Sequence, residues 1–394
     1  MGTGQKSDRR SRGAKVGVAA YFLLTGIIFA TWASRVPAIK GGLGLGDGQF
    51  AIALLGLEAG AVFGLQLGGF LVPRVGSRRA LPASLAGFAC ALLGPAVAPG
   101  LLTLTASLFV FAALNSVVDV AMNTQGLALQ RLMGRPVLSR LHAMHSLGGV
   151  LGAGAGALAA RLGTIPPQHS FACAVAAVAA GLAAWPLLLL SRFDAGEEGS
   201  EAGAGGSTRW FAGWSGSIAL LGALAFCFTL AEGAGLNWAT VYVTESLGET
   251  EALGAVALGV FLGAVTLGRL VGDGLVSRFG AVRVFRAGAI LAGLGFGVAL
   301  LVETPAAGLV GFGLLGAGIA NALPLAIGAG GNAPGETPAT AAARVSTLGY
   351  LGSFVGPALV GGLASLSSLP LALGLPALLV LATALGARAV RRAG

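Results

Sequence analysis

Acidic residues inside apolar stretches are the most informative candidates for functional residues in this sequence. Asp119 precedes Arg131 by about 12 residues, roughly 18 Å along a helix, which places it deep in its apolar stretch. Asn115, Asp119 and Asn123 recur every four residues and so share one helix face. A buried carboxylate with no adjacent cation favours its neutral form, which suits reversible proton binding. The pattern predicts a proton-coupling acid, Asp119, in a solute-binding stripe. A carboxylate tied into interhelical hydrogen bonds is the alternative.

A second acid, Glu232, lies near the middle of another apolar stretch, and Gly233 directly follows it. Glycine there can loosen a helix and turn carbonyl groups toward a cavity. Asn237 and Trp238 come next, and an acid, an amide and an aromatic ring together suit a neutral polar solute such as a sugar, as well as many drugs. We predict proton coupling by Glu232 and solute binding by Asn237 and Trp238. The alternative places Trp238 in an interfacial aromatic belt.

Four other charged residues are predicted to have structural or gating roles. Arg35 and Glu58 lie at depths that differ by about one arginine side chain, so an ion pair between them is feasible. Arg269 and Asp273 are four residues apart on one predicted helix. This spacing predicts that they pair with each other or with a neighbouring helix, as a conformational latch.

Two histidines, His142 and His145, share a helix face because they are three residues apart. No third ligand of matching depth accompanies them, so no metal site is predicted, and no cofactor is predicted either. His145 is a candidate solute-binding residue. A packed or interfacial histidine is the alternative.

The composition predicts that transmembrane helices position these residues. Apolar residues make up 55% of the chain and charged residues 10%, whereas a soluble domain carries roughly 25% charged residues. Apolar stretches of about 20 residues, each long enough to cross a lipid bilayer, recur along the whole chain. The sequence thus predicts an all-α membrane protein with twelve transmembrane helices. They are predicted at 16–38, 50–72, 80–98, 101–128, 140–163, 170–190, 217–244, 252–276, 283–302, 306–331, 339–365 and 369–388.

The basic residues predict the orientation of these helices. The net charge is +9, but Lys and Arg concentrate in alternate loops, with twenty on one side and three on the other. This asymmetry is the orientation signal of a membrane protein, and it argues against a nucleic-acid partner. It predicts a multi-pass protein of the cell (cytoplasmic) membrane with both termini in the cytoplasm.

The chain is predicted to consist of two duplicated halves. A shift of 204 residues superposes Gly64 on Gly268 and Gly152 on Gly356, which lie in two separate helix pairs. Parallel repeats of this kind bind their solute between the halves, near the membrane midplane. The predicted segments are a cytoplasmic N-terminus (1–15), a six-helix bundle (16–190), a flexible cytoplasmic linker (191–216), a second six-helix bundle (217–388) and a cytoplasmic tail (389–394).

The loop between the second and third predicted helices resembles the signature of the major facilitator superfamily. The residues that match are Gly69, Arg74, Gly76, Arg78 and Arg79, but Pro73 stands where the family usually has an aspartate. A similar motif in the second half contains Gly268, Arg269, Gly272, Asp273, Arg278 and Gly280. The resemblance implies two pseudo-symmetric six-helix bundles, with structural or gating roles for Arg74 and Arg278.

Shorter motifs point to a subgroup within that superfamily. The segments from Trp32 to Pro37 and from Asp119 to Asn123, together with His142, are similar to the rhizopine-locus membrane protein and its bacterial relatives. This resemblance implies a sugar-like solute.

These observations predict a secondary active transporter, coupled to protons, that moves a small polar solute by alternating access as a monomer. Proton-antiport efflux of a drug or secondary metabolite is the alternative. Antiporters of the superfamily often carry a Gly-Pro motif on the fifth helix, whereas this chain has Ala153 there and Gly356-Pro357 on the eleventh. An enzyme is not predicted, because neither a metal site nor a paired nucleophile and base is visible.

Overall fold

The computed structural model describes residues 2–134, 137–194, 215–332 and 338–393 of the chain. Within these residues the chain is almost entirely helical and contains no β-strand. Except in its first and last turns, a helix pairs its backbone N–H and C=O groups within one segment, which the hydrocarbon interior of a bilayer requires. The fold class predicted from composition is confirmed.

Twelve helices among the described residues are long and apolar enough to cross a membrane, as predicted. Several exceed their predicted bounds, because polar residues extend the helix beyond the apolar stretch. They are α1 (Arg12–Gly42), α2 (Asp47–Val75), α3 (Ser77–Val97), α4 (Leu101–Met133), α5 (Arg140–Arg161), α6 (Pro166–Leu187), α7 (Gly216–Ser246), α8 (Glu251–Phe279), α9 (Ala281–Val302), α10 (Pro305–Gly331), α11 (Thr340–Leu366) and α12 (Leu369–Arg391). Most of the predicted linker, residues 195–214, lies outside the described residues.

Several of these helices contain irregular turns, and those in α1, α7 and α10 lie near predicted site residues or divide a span. The helix in α1 ends at Ser34 and resumes at Val36, with Arg35 at the break and a proline at the start of the new segment. In α10 the helix ends at Ile319 and resumes at Ala322. The last five residues of α7 form a π-helical turn.

The chain folds into two compact units, of which the first comprises Met1–Leu43 and Ala53–Gly205 and the second comprises Gly44–Ile52 and Gly206–Gly394. The first turn of α2 thus belongs to the second unit. Phe50 in that turn packs edge-on against Trp238, with ring centroids 5.5 Å apart.

Close glycine contacts reveal the internal repeat. A Cβ added to Gly152 in α5 would lie 2.6 Å from the Ile27 carbonyl oxygen in α1. A Cβ added to Gly356 in α11 would lie 2.7 Å from the Leu230 carbonyl oxygen in α7. The two glycines are 204 residues apart, and the two contacted carbonyls are 203 residues apart. The α1–α5 and α7–α11 pairs therefore pack in the same register.

The α2–α4 and α8–α10 pairs repeat in the same way. A Cβ on Gly64 would meet the Ala113 backbone, and one on Gly268 would meet the Ala317 backbone. The two glycines are 204 residues apart, and so are the two alanines that they meet. Gly76 and Gly280, at the starts of α3 and α9, have nearly the same left-handed φ of 83° and 82°. The predicted equivalence of residues 204 apart is confirmed in both helix pairs.

We expect Gly152→Ala and Gly356→Ala to destabilise the protein by about 1–3 kcal/mol, because each added methyl group would overlap a backbone carbonyl. The matched controls are Gly154→Ala in α5 and Gly362→Ala in α11, where an added Cβ meets nothing within 4 Å. Alanine favours a helix over glycine by about 1 kcal/mol, so the controls should be neutral or slightly stabilising. Melting temperatures in detergent measure all four variants, and equal melting within each pair would contradict the packing.

Candidate functional site

The three polar residues predicted to form a stripe on α4 lie in the first unit, and their roles in proton coupling and solute binding stay predictions. Asn115, Asp119 and Asn123 are all half-buried. The Asn123 amide nitrogen donates to the Asp119 carboxylate at 3.0 Å and to the Asp119 carbonyl oxygen at 2.9 Å. No lysine or arginine forms an ion pair with Asp119 among the described residues. One face of α4 therefore presents a carboxyl group whose orientation is fixed by a neutral amide.

Asn123 also joins this stripe to α5. Its carbonyl oxygen lies 3.2 Å from Nε2 of His142, so the amide contacts Asp119 through one end and the histidine through the other. The His142 ring packs edge-on against Phe22 of α1, with ring centroids 5.1 Å apart. Sequence spacing did not reveal this role for His142, because it does not show which face of α5 meets α4.

His145 occupies a contact between α1 and α5. Its Nδ1 lies 3.0 Å from the Thr25 hydroxyl, which also donates to the Phe22 carbonyl oxygen at 2.8 Å. A Cβ on Gly26 would overlap the His145 carbonyl oxygen, so the two backbones approach closely here. This placement favours the packed histidine that the sequence left as an alternative; solute binding by His145 stays a prediction.

The two histidines therefore have different partners. Within the described part of the chain, no three His, Cys, Asp or Glu side chains form a group that could hold a metal ion.

In the second unit, Glu232 forms an ion pair with Arg269. Its carboxylate lies 2.9 Å from the Arg269 guanidinium, which joins α7 to α8. The side chains of Arg269 and Glu232 are 43% and 26% exposed, so the pair is not sealed inside the protein. Of the two predicted pairings for Arg269, the one with a neighbouring helix is formed. Asp273 is exposed and has no ion pair with any described residue.

Asn237 and Trp238 do not lie in an open site in this conformation. The Asn237 amide, only 6% exposed, donates to the Gly233 carbonyl oxygen one turn earlier at 2.9 Å. The Trp238 ring is completely buried, and its Nε1 donates to the Pro357 carbonyl oxygen of α11 at 3.0 Å. Gly233 permits this packing, because a Cβ there would lie 3.1 Å from the Ser353 carbonyl oxygen. Trp238 therefore packs between helices in this conformation, and solute binding by Asn237 and Trp238 stays a prediction.

The predicted ion pair between Arg35 and Glu58 is not formed. At the break in α1, the Arg35 Nη2 instead donates to the Thr164 carbonyl oxygen in the loop between α5 and α6, at 2.6 Å. Glu58 is half-buried and forms no hydrogen bond or ion pair with the described residues. The apolar pattern of the sequence does not mark the break at Arg35, where the side chain reaches Thr164.

Arg74 and Arg278, predicted as gating residues, contact their own helices. The Arg74 guanidinium donates to the Phe70 carbonyl oxygen at 2.6 Å and lies 3.5 Å from the centre of the Phe70 ring. Arg278 lies 5.3 Å from the centre of the Phe279 ring. Neither forms an ion pair among the described residues, and their gating roles stay predictions.

Sequence reasoning missed a network at the start of α3. The Asp194 carboxylate accepts hydrogen bonds from the Ser77 backbone N–H at 2.8 Å and the Ser77 hydroxyl at 2.6 Å. The Gln125 amide donates to the same hydroxyl at 2.6 Å and to the Leu189 carbonyl oxygen at 3.1 Å. Asp194 was expected in a solvated linker, but it caps the positive end of α3. A separation of 117 residues left no local signal for this contact.

Comparison with known proteins identifies the family to which a chain with this fold belongs. Residues 17–357 match the family model of the Major Facilitator Superfamily. The chain belongs to this superfamily, and it is a multi-pass membrane transporter and not an enzyme.

Two relatives place the chain within that superfamily. An uncharacterized MFS-type transporter of Yersinia pestis is 34% identical over 383 residues, which cover 96% of each chain. Membrane protein MosC of Rhizobium meliloti is 28% identical over 347 residues, which cover 88% of this chain and 83% of MosC. The similarity to the rhizopine-locus subgroup is thereby confirmed.

Solved structures confirm the fold. The nucleoside transporter NupG aligns with a TM-score of 0.71 at 14% identity, over 96% of this chain and 98% of NupG. A D-xylose-proton symporter aligns with a TM-score of 0.67 at 14% identity, over 96% of both chains.

We expect a double-mutant cycle of Glu232→Gln and Arg269→Gln to show a coupling energy of about 1 kcal/mol in thermal unfolding. The two side chains form an ion pair, but their partial exposure weakens the attraction between the charges. A parallel cycle of Asp273→Asn with Arg269→Gln is the control and should show no coupling. Coupling in the control cycle and none in the first would mean that Arg269 pairs along α8 instead.

Proposed function

We propose that this chain is a proton-coupled secondary transporter of a small, uncharged polar solute of the sugar type. The observation that supports this most strongly is the partly exposed ion pair between Glu232 and Arg269. An ionisable residue inside a membrane span is costly and usually functional. Here both members of the pair lie within spans, and the pair joins two of them.

Protonation of Glu232 would act on the contact between α7 and α8. A proton on the carboxylate removes its negative charge and with it the attraction that holds the Arg269 guanidinium at 2.9 Å. Proton binding is thereby linked to the arrangement of the two helices, and by reciprocity that arrangement alters the affinity for the proton. Neither side chain is fully buried, so a change in protonation does not require the helices to unfold.

Asp119 supplies a second proton site of a different kind. It has no cation partner among the described residues, and Asn123 holds its carboxyl group in one orientation. A neutral carboxyl group has an O–H donor as well as an acceptor, whereas a carboxylate has acceptors only. Protonation of Asp119 would therefore change which solute groups it can bind.

The proposed solute class follows from the groups around Asp119. Asn115 lies one helical turn away, is half-buried, and forms no hydrogen bond with the described residues. Its amide provides two donors and an acceptor, which match the hydroxyl groups of a sugar or polyol. The similarity to a nucleoside transporter and to a D-xylose-proton symporter agrees with this class, although fold likeness by itself does not determine a substrate.

We further propose that the protein functions as a monomer in the cytoplasmic membrane, with both termini in the cytoplasm and transport by alternating access. The orientation is supported by the concentration of Lys and Arg in alternate loops.

The proposal is tested with purified protein in proteoliposomes. A thermal-shift screen of sugars, polyols, nucleosides and drugs first selects a solute. Uptake of that solute against its gradient is then measured with the vesicle interior alkaline, acidic or equal in pH. We expect accumulation only when protons flow inward with the solute. Accumulation driven by outward proton flow would indicate antiport, and uptake independent of pH would reject proton coupling.

We expect Asp119→Asn to abolish proton-driven uptake without unfolding the protein, because asparagine keeps the shape of the side chain but cannot bind and release a proton. Glu303→Gln makes the same chemical change at an exposed carboxylate that has no ion pair with the described residues, and it should transport normally. Uptake and melting temperature are measured for both variants. Normal uptake by Asp119→Asn at every pH would leave Asp119 with a structural role only.

We expect Glu232→Gln to reduce proton-driven accumulation about tenfold or more, in line with a coupling free energy of 1–3 kcal/mol. Exchange of labelled for unlabelled solute should change much less, because exchange does not require net proton movement. The ratio of the two rates, measured in the same vesicles, separates coupling from binding. An equal loss of both rates would place Glu232 in solute binding or folding.

A further inference from the structure

The starts of α3 and α9 occupy equivalent positions in the internal repeat but differ in chemistry. In the first unit, the Asp194 carboxylate accepts the Ser77 backbone N–H at the start of α3. In the second unit, Ala281 takes the place of Ser77, and α9 has neither a side-chain cap nor an acidic residue in its first turn. A helix N-terminus has a partial positive charge and unpaired N–H groups. The Asp194 carboxylate at the start of α3 thus has no counterpart at the start of α9 among the described residues.

Four arginines surround this uncapped end of α9. Arg283 and Arg286 project from its first two turns, and Arg388 and Arg391 come from the end of α12. Together they line a cleft of about 400 Å³, and all four are exposed. Arg286 donates to the Ala384 carbonyl oxygen at 3.2 Å, and none of the four forms an ion pair with a described carboxylate.

An apolar groove adjoins this arginine cleft. It has a volume of about 480 Å³ and lies among α8, α9 and α10. Phe279 and Arg283 line both the groove and the cleft, so the two are continuous. The groove is otherwise lined mainly by apolar side chains such as Leu275, Leu291 and Leu325. A concentrated positive charge is thus joined directly to an elongated apolar surface.

We propose that this surface binds an anionic phospholipid, with the phosphate in the arginine cleft and an acyl chain in the apolar groove. Arginine binds phosphate through paired N–H donors, and a helix N-terminus adds further donors and a favourable field. Basic pockets between membrane helices are suited to anionic headgroups. Four arginines, with no carboxylate among the described residues that line the cleft, favour a headgroup with a net negative charge over a zwitterionic one. The adjoining groove favours a lipid over a free phosphate ion.

This site is separate from the residues proposed for proton coupling and solute binding. It would anchor the second unit to a leaflet that contains anionic lipid, whatever the transported solute.

Binding is measured by native mass spectrometry and by thermal shift of the purified full chain. The ligands are phosphatidylglycerol, phosphatidylcholine, glycerol 3-phosphate and inorganic phosphate. We expect phosphatidylglycerol to bind most tightly, and the two headgroup-sized anions to bind weakly at the same arginines. Equal affinity for inorganic phosphate and phosphatidylglycerol would overturn the lipid assignment and leave an anion site.

Two variants test the two parts of the site. Arg388→Gln with Arg391→Gln should weaken phosphatidylglycerol binding roughly tenfold or more, because two of the four cations are lost. Ala287→Phe should place a ring in the apolar groove and weaken lipid binding while leaving phosphate binding unchanged.

The matched control is Arg78→Gln with Arg79→Gln, which removes the same charge at the start of α3, where Asp194 already provides the anion. It should change lipid binding less than about twofold, since neither arginine lines the cleft and salt screens exposed charges. Melting temperatures confirm that each variant is folded. Equal losses in the Arg388/Arg391 and Arg78/Arg79 variants would indicate general charge attraction and overturn the proposal, as would unchanged binding in all variants.

Discussion

Contacts between glycines and backbone carbonyls hold the closest helix pairs of both units together. Within a bilayer, helices gain little from burying apolar surface against each other, so close backbone approach supplies much of the attraction. Gly148 and Gly152 of α5 meet α1 in this way, and Gly352 and Gly356 of α11 meet α7. The close approach of α1 and α5 also brings the Thr25 hydroxyl within 3.0 Å of Nδ1 of His145.

The two units place acidic residues in the membrane by different physical means. Asp119 is held by an amide, which stabilises the orientation of a carboxyl group without fixing its charge. Glu232 is held by an arginine, so a change in its protonation changes a contact between two helices. The first arrangement suits a group that contacts solute, and the second suits a group that transmits a conformational change.

The internal repeat also shows how duplicated backbones acquire different properties. Gly76 and Gly280 have the same backbone conformation and precede equivalent helices. Asp194 closes one helix start through hydrogen bonds to Ser77, whereas four arginines and no described acid surround the other. A few side chains thus make one end a closed polar network and the other a cationic surface, while the helix packing is conserved between the halves.

The sequence by itself determined the class of the protein, the twelve spans and the repeat of 204 residues, because apolar length and glycine spacing are local properties of a chain in a bilayer. It also marked Asp119, Asn123 and Glu232, since ionisable and amide groups inside apolar stretches stand out without any knowledge of neighbours. Only the tertiary structure decided their partners. Helix periodicity specifies a face but not the helix that it meets.

Several of the partners that sequence reasoning missed lie far apart in the chain. Arg269 pairs with Glu232 of α7 and not with Asp273 on its own helix, and Asp194 caps a helix that begins 117 residues earlier. Trp238 shows the same limit, because its solute-facing or buried position depends on how closely α11 approaches α7. Such contacts depend on helix breaks, crossing positions and loop paths. These are set by the packing of the whole unit, and no short segment of the sequence encodes them.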